Sequence, residues 1–377
     1  MFEFSKYIKE NGILDKILIK FFSSFISTAN LFNQKRFNNS KILIISFHKL
    51  GDTVFTIPAI KALKKEFGSE ITIACFDDSR KIYELAFEDL NYVIMKNEDF
   101  LFSGRIAKSS SRRKIKNIKA GTIIDLTGAI NSASLIFKSK SERIIGFNEK
   151  YFQKIYSEFI PKRKIPHLMD LYLDVAKALV KIQDESGLKN FGNSENQGEY
   201  ILIHPFAGWK AKEWEFHKFI ELAEQLNKNY KCKIIIPKVR TSDKIVMQLV
   251  ENKISYFISS EVSELIDVIK KASFVIGCDS GVIYIASLLG KPTFSIYGPT
   301  NPQFSLPFGL NHKYIQQEVN CSPKFNEQYC LLDAGRKCQT IDCMNLLSVK
   351  KVLDQIHIFM ASVAQHKFQK VEKGGDF

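Results

Sequence analysis

Residues 41–67 read KILIISFHKLGDTVFTIPAIKALKKEF, and this stretch decides the fold. It opens on an unbroken apolar run, Ile42-Leu43-Ile44-Ile45, the pattern of a strand buried on both faces. A short turn, His48-Lys49-Leu50-Gly51-Asp52, follows. Val54, Ile57, Ile60, Ala62, Leu63 and Phe67 then recur at helical spacing, and Pro58 is expected in the first turn of that helix. A strand, a Gly-containing turn and a helix N-terminus form the ligand-facing edge of an open α/β sheet. Asp52 sits on that edge between Gly51 and Thr53, which makes it the first candidate for chemistry.

Working outward, strand and helix patterns alternate. Strands are expected at Ile42–Phe47, Ile71–Phe76, Tyr92–Met95, Thr122–Leu126 and Arg143–Phe147, with helices around 59–67, 79–87, 106–118, 129–137 and 168–182. The polar stretch DESGLKNFGNSENQGE, Asp184 to Glu199, reads as a linker. After it the pattern restarts, with strands at Tyr200–His204, Cys232–Ile236, Ser255–Ile258, Phe274–Gly277 and Thr293–Tyr297 and a last helix at Val349–Ala364. Two βα series predict two facing Rossmann-like α/β domains with parallel sheets and a cleft between them. The boundaries expected are 1–40 for an N-terminal helical extension, 41–185 for the first domain, 186–198 for a linker and 199–377 for the second domain.

A chain of 377 residues with 45% apolar and 25% charged residues suits two medium-sized cores. Its 54 basic against 40 acidic residues give +14, which points to an anionic partner. Neither zinc-finger spacing nor an aromatic RNA-binding motif is present, so no nucleic acid is expected, and a membrane surface or a phosphorylated substrate is the better fit. No apolar run approaches 18 residues and no cleavable leader pattern opens the chain. Seven cysteines in so long a chain form no disulfide framework, and a reducing cytoplasm is expected. Within residues 1–40, Ile13, Leu14, Ile17, Leu18, Phe21, Phe22 and Phe25 alternate with Lys6, Lys9, Lys16 and Lys20. That composition fits either a helix lying on an anionic membrane or one packed on the first domain.

Five constellations carry candidate chemistry. Asp52 at a helix N-terminus is a candidate base, with a helix cap as the plainer explanation. Gly277-Cys278-Asp279-Ser280-Gly281 follows a strand and opens a helix, where backbone donors could hold a pyrophosphate. The next turn, Tyr297-Gly298-Pro299-Thr300, would lie beside it, and the pair favours a nucleotide ligand. In His204-Pro205-Phe206-Ala207-Gly208-Trp209-Lys210-Ala211-Lys212-Glu213-Trp214, Lys212 is placed to neutralise a diphosphate and Trp214 to anchor the core. Arg105, Lys108, Arg112, Arg113, Lys114, Lys116 and Lys119 form a basic run that is either a solvated face or an anion-binding surface. Cys321, Cys330, Cys338 and Cys343 are separated by gaps of eight, seven and four residues. These gaps match no common zinc motif, leaving either packed reduced thiols or a structural metal.

Taken in order, ILIISFHKLGDTVFTIPAIKAL, ILIHPFAGWKAKEW, VIGCDSGVIYIASLLGKPTFSIYGPTNP and the Cys-rich tail ending CMNLLSVKKVLDQI resemble glycosyltransferase family 9, the bacterial ADP-heptose:lipopolysaccharide heptosyltransferases. The resemblance runs from about residue 41 to 360. It implies a GT-B fold, with acceptor on the first domain and sugar nucleotide on the second. It further implies inverting, metal-independent transfer from ADP-heptose to an anionic glycolipid acceptor, with no cofactor, at the cytoplasmic face of the inner membrane. Asp52 matches the family's general base and Lys212 its donor-phosphate lysine. Asp279, Ser280 and Gly281 match the donor loop, with Tyr284, Gly298 and Thr300 as further donor contacts. Thr53, Arg105, Arg112 and Arg113 are the acceptor-side candidates. Two positions depart from the pattern: Tyr284 stands where the family has His, and Pro237–Thr241 lacks the Glu that binds the nucleotide ribose. A non-catalytic relative, a transferase using another sugar nucleotide, and an unrelated epimerase or dehydrogenase remain as alternatives. A dehydrogenase would want a GxGxxG turn after Ile42–Phe47, and none is there.

Overall fold

The computed structural model describes residues 17, 18, 20, 21 and 39–373, apart from 103, 148, 149, 164–166, 193 and 195–197. Most of the extension expected over residues 1–40 therefore lies outside the described residues; Ile17, Leu18, Lys20 and Phe21 are helical. The chain divides into two compact units, 1–189 and 190–377.

In the first unit, β1 (Ile42–Ser46) leads into α1 (Leu50–Phe67), then β2 (Ile71–Phe76), α2 (Asp77–Tyr83) and β3 (Asn91–Met95). A two-stranded antiparallel hairpin, β4 (Phe100–Leu101) with β5 (Ile106–Ala107), precedes α3 (Ser109–Lys116). β6 (Thr122–Asp125), α4 (Ile130–Ile136), β7 (Arg143–Phe147), β8 (Glu158–Ile160), α5 (Leu168–Ala176) and α6 (Glu185–Lys189) complete it. The sheet is parallel throughout, in the order β3-β2-β1-β6-β7-β8. β1 is bonded on both edges, Ile42 pairing with Ile71 on one side and Thr122 on the other, and all five of its residues are buried. That is why its sequence is a continuous apolar run rather than an alternating one.

The second unit repeats the plan. β9 (Tyr200–His204), α7 (Phe216–Asn227), β10 (Cys232–Pro237), α8 (Asp243–Glu251), β11 (Tyr256–Ser259), α9 (Val262–Lys270) and β12 (Ala272–Cys278) come first. α10 (Gly281–Leu288), β13 (Thr293–Tyr297), β14 (His312–Gln316), α11 (Asp342–Asn345) and α12 (Val349–Lys373) follow. Strand order is β11-β10-β9-β12-β13-β14, again parallel. Both sheets thus have the doubly wound order in which the chain leaves its first strand in opposite directions. The crevice this opens lies at the carboxyl ends of β1 and β6 in one unit and of β9 and β12 in the other. Two parallel-sheet α/β domains of this kind bear out the GT-B fold class.

The details correct several expectations. α1 begins at Leu50, so Pro58 lies well inside the helix rather than in its first turn. The helix tolerates a proline, which can donate no hydrogen bond to Val54, because the surrounding turns are buried from Thr53 to Ile60 and packing holds them. Ile106 and Ala107 belong to the hairpin, and the helix expected from 106 starts only at Ser109. α5 stops at Ala176 rather than running to residue 182. α6 occupies the start of the expected 186–198 linker, where buried Lys189 pairs with Asp170. The edge strands β8 and β14 carry no clear apolar pattern in the sequence. Among the described residues, no helix is long and apolar enough to cross a membrane.

Candidate active site

The second unit gathers three of the sequence candidates, Lys212, Tyr284 and Thr300, around the carboxylate of a fourth. Asp279 stands just past the end of β12 and is 4% exposed. Its Oδ2 lies 2.6 Å from the Lys212 ammonium and accepts a 2.7 Å hydrogen bond from the Thr300 hydroxyl. Its Oδ1 accepts from the Tyr284 hydroxyl. Burial, followed by the Asp279 charge, pushes the Tyr284 phenol well above its ordinary value, so it stays protonated and donates. Three elements converge here: the turn after β9 brings Lys212, α10 brings Tyr284 and the turn after β13 brings Thr300. The local backbone demands glycine at Gly277, where a Cβ would come within 2.8 Å of the His204 carbonyl oxygen.

Lys212 is 8% exposed, and its ammonium lies 4.4 Å from the centre of the Trp209 ring. The Trp209 indole N–H donates to the Ala334 carbonyl at 3.0 Å, which fixes the ring. Trp214 is the core anchor expected of it, 1% exposed with its indole N–H on the Leu347 carbonyl. Ser280 caps α10 in backbone conformation, but its hydroxyl makes no capping bond; it lies 3.3 Å from His204 Nδ1 instead. Burial lowers His204 to about 3, helped by the Arg240 charge, so its ring is neutral. Gly281 opens α10 directly beside this cluster. Gly298 has a packing role: a Cβ there would meet Met344 Sδ at 2.6 Å.

In the first unit, Asp52 lies in the first turn of α1, three residues past the cap position at Lys49, so it is not the helix cap. It is half-buried, and its charge helps hold the Tyr172 hydroxyl protonated, after burial. Tyr172 packs edge-on against His48, with ring centres 5.3 Å apart, and against Phe147 at 5.7 Å. His48 Nε2 lies 3.1 Å from the Leu126 carbonyl, and burial lowers its pKa to about 4. The turn after β1 and the turn after β6 are thereby joined at the crevice.

The acceptor-side candidates fare differently. Thr53 is fully buried, its hydroxyl lying 3.0 Å from the Lys49 carbonyl and 3.1 Å from Ser79 Oγ, so it is a structural position rather than a contact. Arg105 sits on the β4–β5 hairpin and donates to the Phe102 carbonyl at 3.1 Å. Arg112 and Arg113 lie on α3, which runs back from the carboxyl edge of the sheet. There Arg112, Lys138 and Lys140 act together on Lys116, lowering its pKa beyond the effect of burial. The basic run is therefore split between the ligand-facing edge and a helix leading away from it.

The family model for glycosyltransferase family 9 (heptosyltransferase) matches residues 109–334, more than half of the chain. The chain belongs to glycosyltransferase family 9. Among curated relatives, this family 9 transferase is 22% identical over 267 residues to the lipopolysaccharide core heptosyltransferase OpsX of Haemophilus influenzae, covering 65% of this chain and 76% of OpsX. It is 26% identical over 164 residues to lipooligosaccharide heptosyltransferase 2 of the same organism, covering 40% of this chain and 45% of that one. Among solved structures it is similar to E. coli heptosyltransferase WaaC bound to ADP-2-deoxy-2-fluoro heptose, with TM-score 0.61 and 15% identity over 84% of this chain and 99% of that one. E. coli ADP-heptose lps heptosyltransferase II gives TM-score 0.64 and 17% identity, covering 86% and 99%. A family 9 glycosyl transferase from Veillonella parvula gives 0.66 and 16%, covering 87% and 99%.

Two features of this family 9 chain escaped sequence reasoning. Tyr172, whose hydroxyl feels the charge of Asp52, lies far from it in sequence and reads simply as one residue of an apolar helix face. Glu213, 3% exposed in its side chain, takes Arg240 Nη2 at 2.7 and 2.8 Å on its two oxygens, and the guanidinium stacks 4.9 Å from the Phe206 ring. Arg240 occupies the segment after β10 where the family pattern has a ribose-binding Glu.

Proposed function

We propose that this transferase moves a heptose from an ADP-sugar to a lipopolysaccharide-core acceptor, with inversion and without a metal in the reaction. The buried Lys212–Asp279 pair at the carboxyl edge of β9 and β12 carries the reading. A buried ammonium with three donors, one held by a carboxylate, is suited to a diphosphate, whose charge grows as the glycosidic bond breaks. The names of the relatives support the same donor, since one solved neighbour holds an ADP-heptose analogue and the curated relatives act in lipopolysaccharide assembly. In the reaction, Asp52 takes the proton of the acceptor hydroxyl as that oxygen attacks the anomeric carbon. The bond to ADP breaks on the opposite face, and Lys212 offsets the charge left on the diphosphate. Asp279 holds Lys212 in place, and Tyr284 and Thr300 hold Asp279.

Phe47 packs into the core against Phe76 and Phe100, and Tyr172 is an aromatic neighbour of Asp52. Asp52→Asn is expected to abolish transfer while leaving ADP binding intact, measured by product formation and calorimetry. Unchanged turnover removes Asp52 from the base role. A second reading, another sugar nucleotide as donor, draws on Tyr284 and Arg240, both at positions that depart from the family pattern. A thermal-shift screen decides between them: ADP-heptose should give the largest stabilisation, and a larger one with a UDP- or GDP-sugar assigns the donor differently.

A further inference from the structure

In the first unit α5 packs along α1. Phe55, in the second turn of α1, meets the ring of His167 just before α5, with centres 5.8 Å apart. Further along α5, Tyr172 meets His48, which precedes α1, at 5.3 Å. Residue numbers rise along one helix as they fall along the other, so the two run antiparallel. Tyr172 thereby stands level with the first turn of α1, where Asp52 is.

The Tyr172 ring is held edge-on between His48 and Phe147. His48 is in turn tied to the Leu126 carbonyl, in a turn that buried Asp125 fixes by accepting the N–H groups of Thr127 and Gly128 at 3.0 Å each. A tyrosine hydroxyl in such a place ordinarily has a hydrogen-bond partner. The neighbouring tyrosines do: Tyr83 lies 2.6 Å from Ser46 Oγ and 2.8 Å from Thr56 Oγ1, and Tyr156 donates to Asp125 at 2.8 Å. Among the described residues the Tyr172 hydroxyl has none; what acts on it, after burial, is the charge of Asp52 and then Tyr83. The remaining titratable neighbour is His48, which burial keeps neutral. Nor is the hydroxyl sealed in the core, because the fully covered tyrosine oxygen without a partner is that of Tyr92. Tyr172 is 7% exposed, and that small exposed part includes its hydroxyl.

We propose that Tyr172 is an acceptor-binding residue, its hydroxyl donating a hydrogen bond to the oxygen next to the attacking hydroxyl of a sugar that carries a vicinal diol. The proposal rests on the reading of Asp52 as the base. A doubly wound sheet opens its ligand crevice at the carboxyl edge where the strand order reverses, here between β1 and β6, and the β1 turn leads directly into Asp52. At that edge a carboxylate, which only accepts, stands near a phenol that burial keeps protonated and able to donate. Adjacent oxygens on a sugar ring match this pair: one gives its proton to Asp52 and the next accepts from Tyr172. Tyr172 keeps its own proton throughout, so the proton balance of the transfer is unchanged. A lone carboxylate does not tell one ring hydroxyl from another, whereas a second, donating contact fixes which of them faces the base.

Tyr172→Phe removes the oxygen and keeps the ring between His48 and Phe147, so the variant should fold with a melting temperature close to wild type. Acceptor affinity is measured by calorimetry on the full chain, without donor, using a deacylated lipopolysaccharide-core fragment. It should weaken about three- to tenfold in Tyr172→Phe. The KM for the same fragment should rise by a like factor, while the KM for ADP-heptose and the affinity for ADP stay at their wild-type values. Tyr83→Phe, which loses a hydroxyl bonded inside the unit, should lower the melting temperature and leave acceptor affinity unchanged. The proposal is overturned if Tyr172→Phe binds the fragment as the wild type does, or if it weakens fragment and ADP equally. A displaced acidic limb of kcat against pH, with fragment affinity unchanged, assigns the hydroxyl to Asp52 instead and overturns it as well. Binding without donor is independent of turnover, so a failure at Tyr172 is distinguishable from a failure of the transferase reading, which the wild-type rate of transfer tests.

Discussion

Asp279 and Lys212 are both buried, yet their removal should not cost the same. Asp279→Asn leaves the Lys212 ammonium buried without its carboxylate, a defect worth about 3–5 kcal/mol. Lys212→Met leaves a carboxylate that still accepts hydroxyl bonds from Tyr284 and Thr300, and its cost should stay nearer 1–3 kcal/mol. Urea unfolding of the two variants, with circular dichroism as the signal, tests this; equal losses would mean that the hydroxyls do not share the charge. Tyr284→Phe belongs to the same network and should lower the rate of transfer while leaving the fold intact, since only one of Asp279's three partners is lost. Sequence alone identifies Lys212, Asp279 and Thr300 as residues of strand-end turns, because each turn has its own local pattern. It does not show that they share one carboxylate, nor that Glu213 and Arg240 pair, because contacts across separate turns leave no local trace.

At the level of elements, three strand ends carry a histidine: half-buried His48 after β1, buried His204 closing β9 and buried His312 opening β14. Burial lowers His48 and His312 to about 4 and His204 to about 3, from 6.5. His312 is held neutral between the Thr293 hydroxyl at 2.8 Å and the Ser287 hydroxyl at 3.3 Å. Each folded pKa lies below the unfolded one, so between about 4 and 6.5 the unfolded chain binds more protons than the folded one. Stability therefore rises with pH through that window, is complete above 6.5, and is lost as the pH falls toward 4. Melting temperature measured from pH 7 down to pH 4 should fall, and His312→Gln should flatten the slope; a slope identical to wild type excludes His312 as a contributor. Elements themselves were legible where burial is two-sided. β1 and β9 are apolar runs because both faces are covered, whereas β8 and β14 lie at sheet edges and their sequences carry no such run. Pro58 misleads for the opposite reason, since tertiary packing keeps α1 helical through a residue that local rules place in its first turn.

For the whole molecule, the excess of 54 basic over 40 acidic residues exceeds what one diphosphate requires. The first unit keeps much of that charge on α3 and the segments near it, while the N-terminal forty residues add Lys6, Lys9, Lys16 and Lys20 among their apolar residues. In the described part of that stretch, Ile17 and Phe21 stand one helical turn apart and are 54% and 80% exposed, with Lys20 exposed beside them. Two large apolar side chains on one helical face, next to a lysine, suit the boundary between lipid headgroups and acyl chains. We propose that this segment binds an anionic membrane surface. Each lysine near an anionic surface contributes about 1 kcal/mol, and that part is screened in about 1 M salt. The full chain should therefore cosediment with vesicles containing anionic lipid, and salt should weaken but not abolish the binding. Ile17→Glu with Phe21→Glu should weaken it in low salt as well, because the apolar anchor is then gone. A chain beginning at Ser40 should stay in the supernatant yet still transfer sugar to a water-soluble acceptor fragment. Equal cosedimentation of the shortened and full chains would move the membrane contact to the basic surface of the first unit.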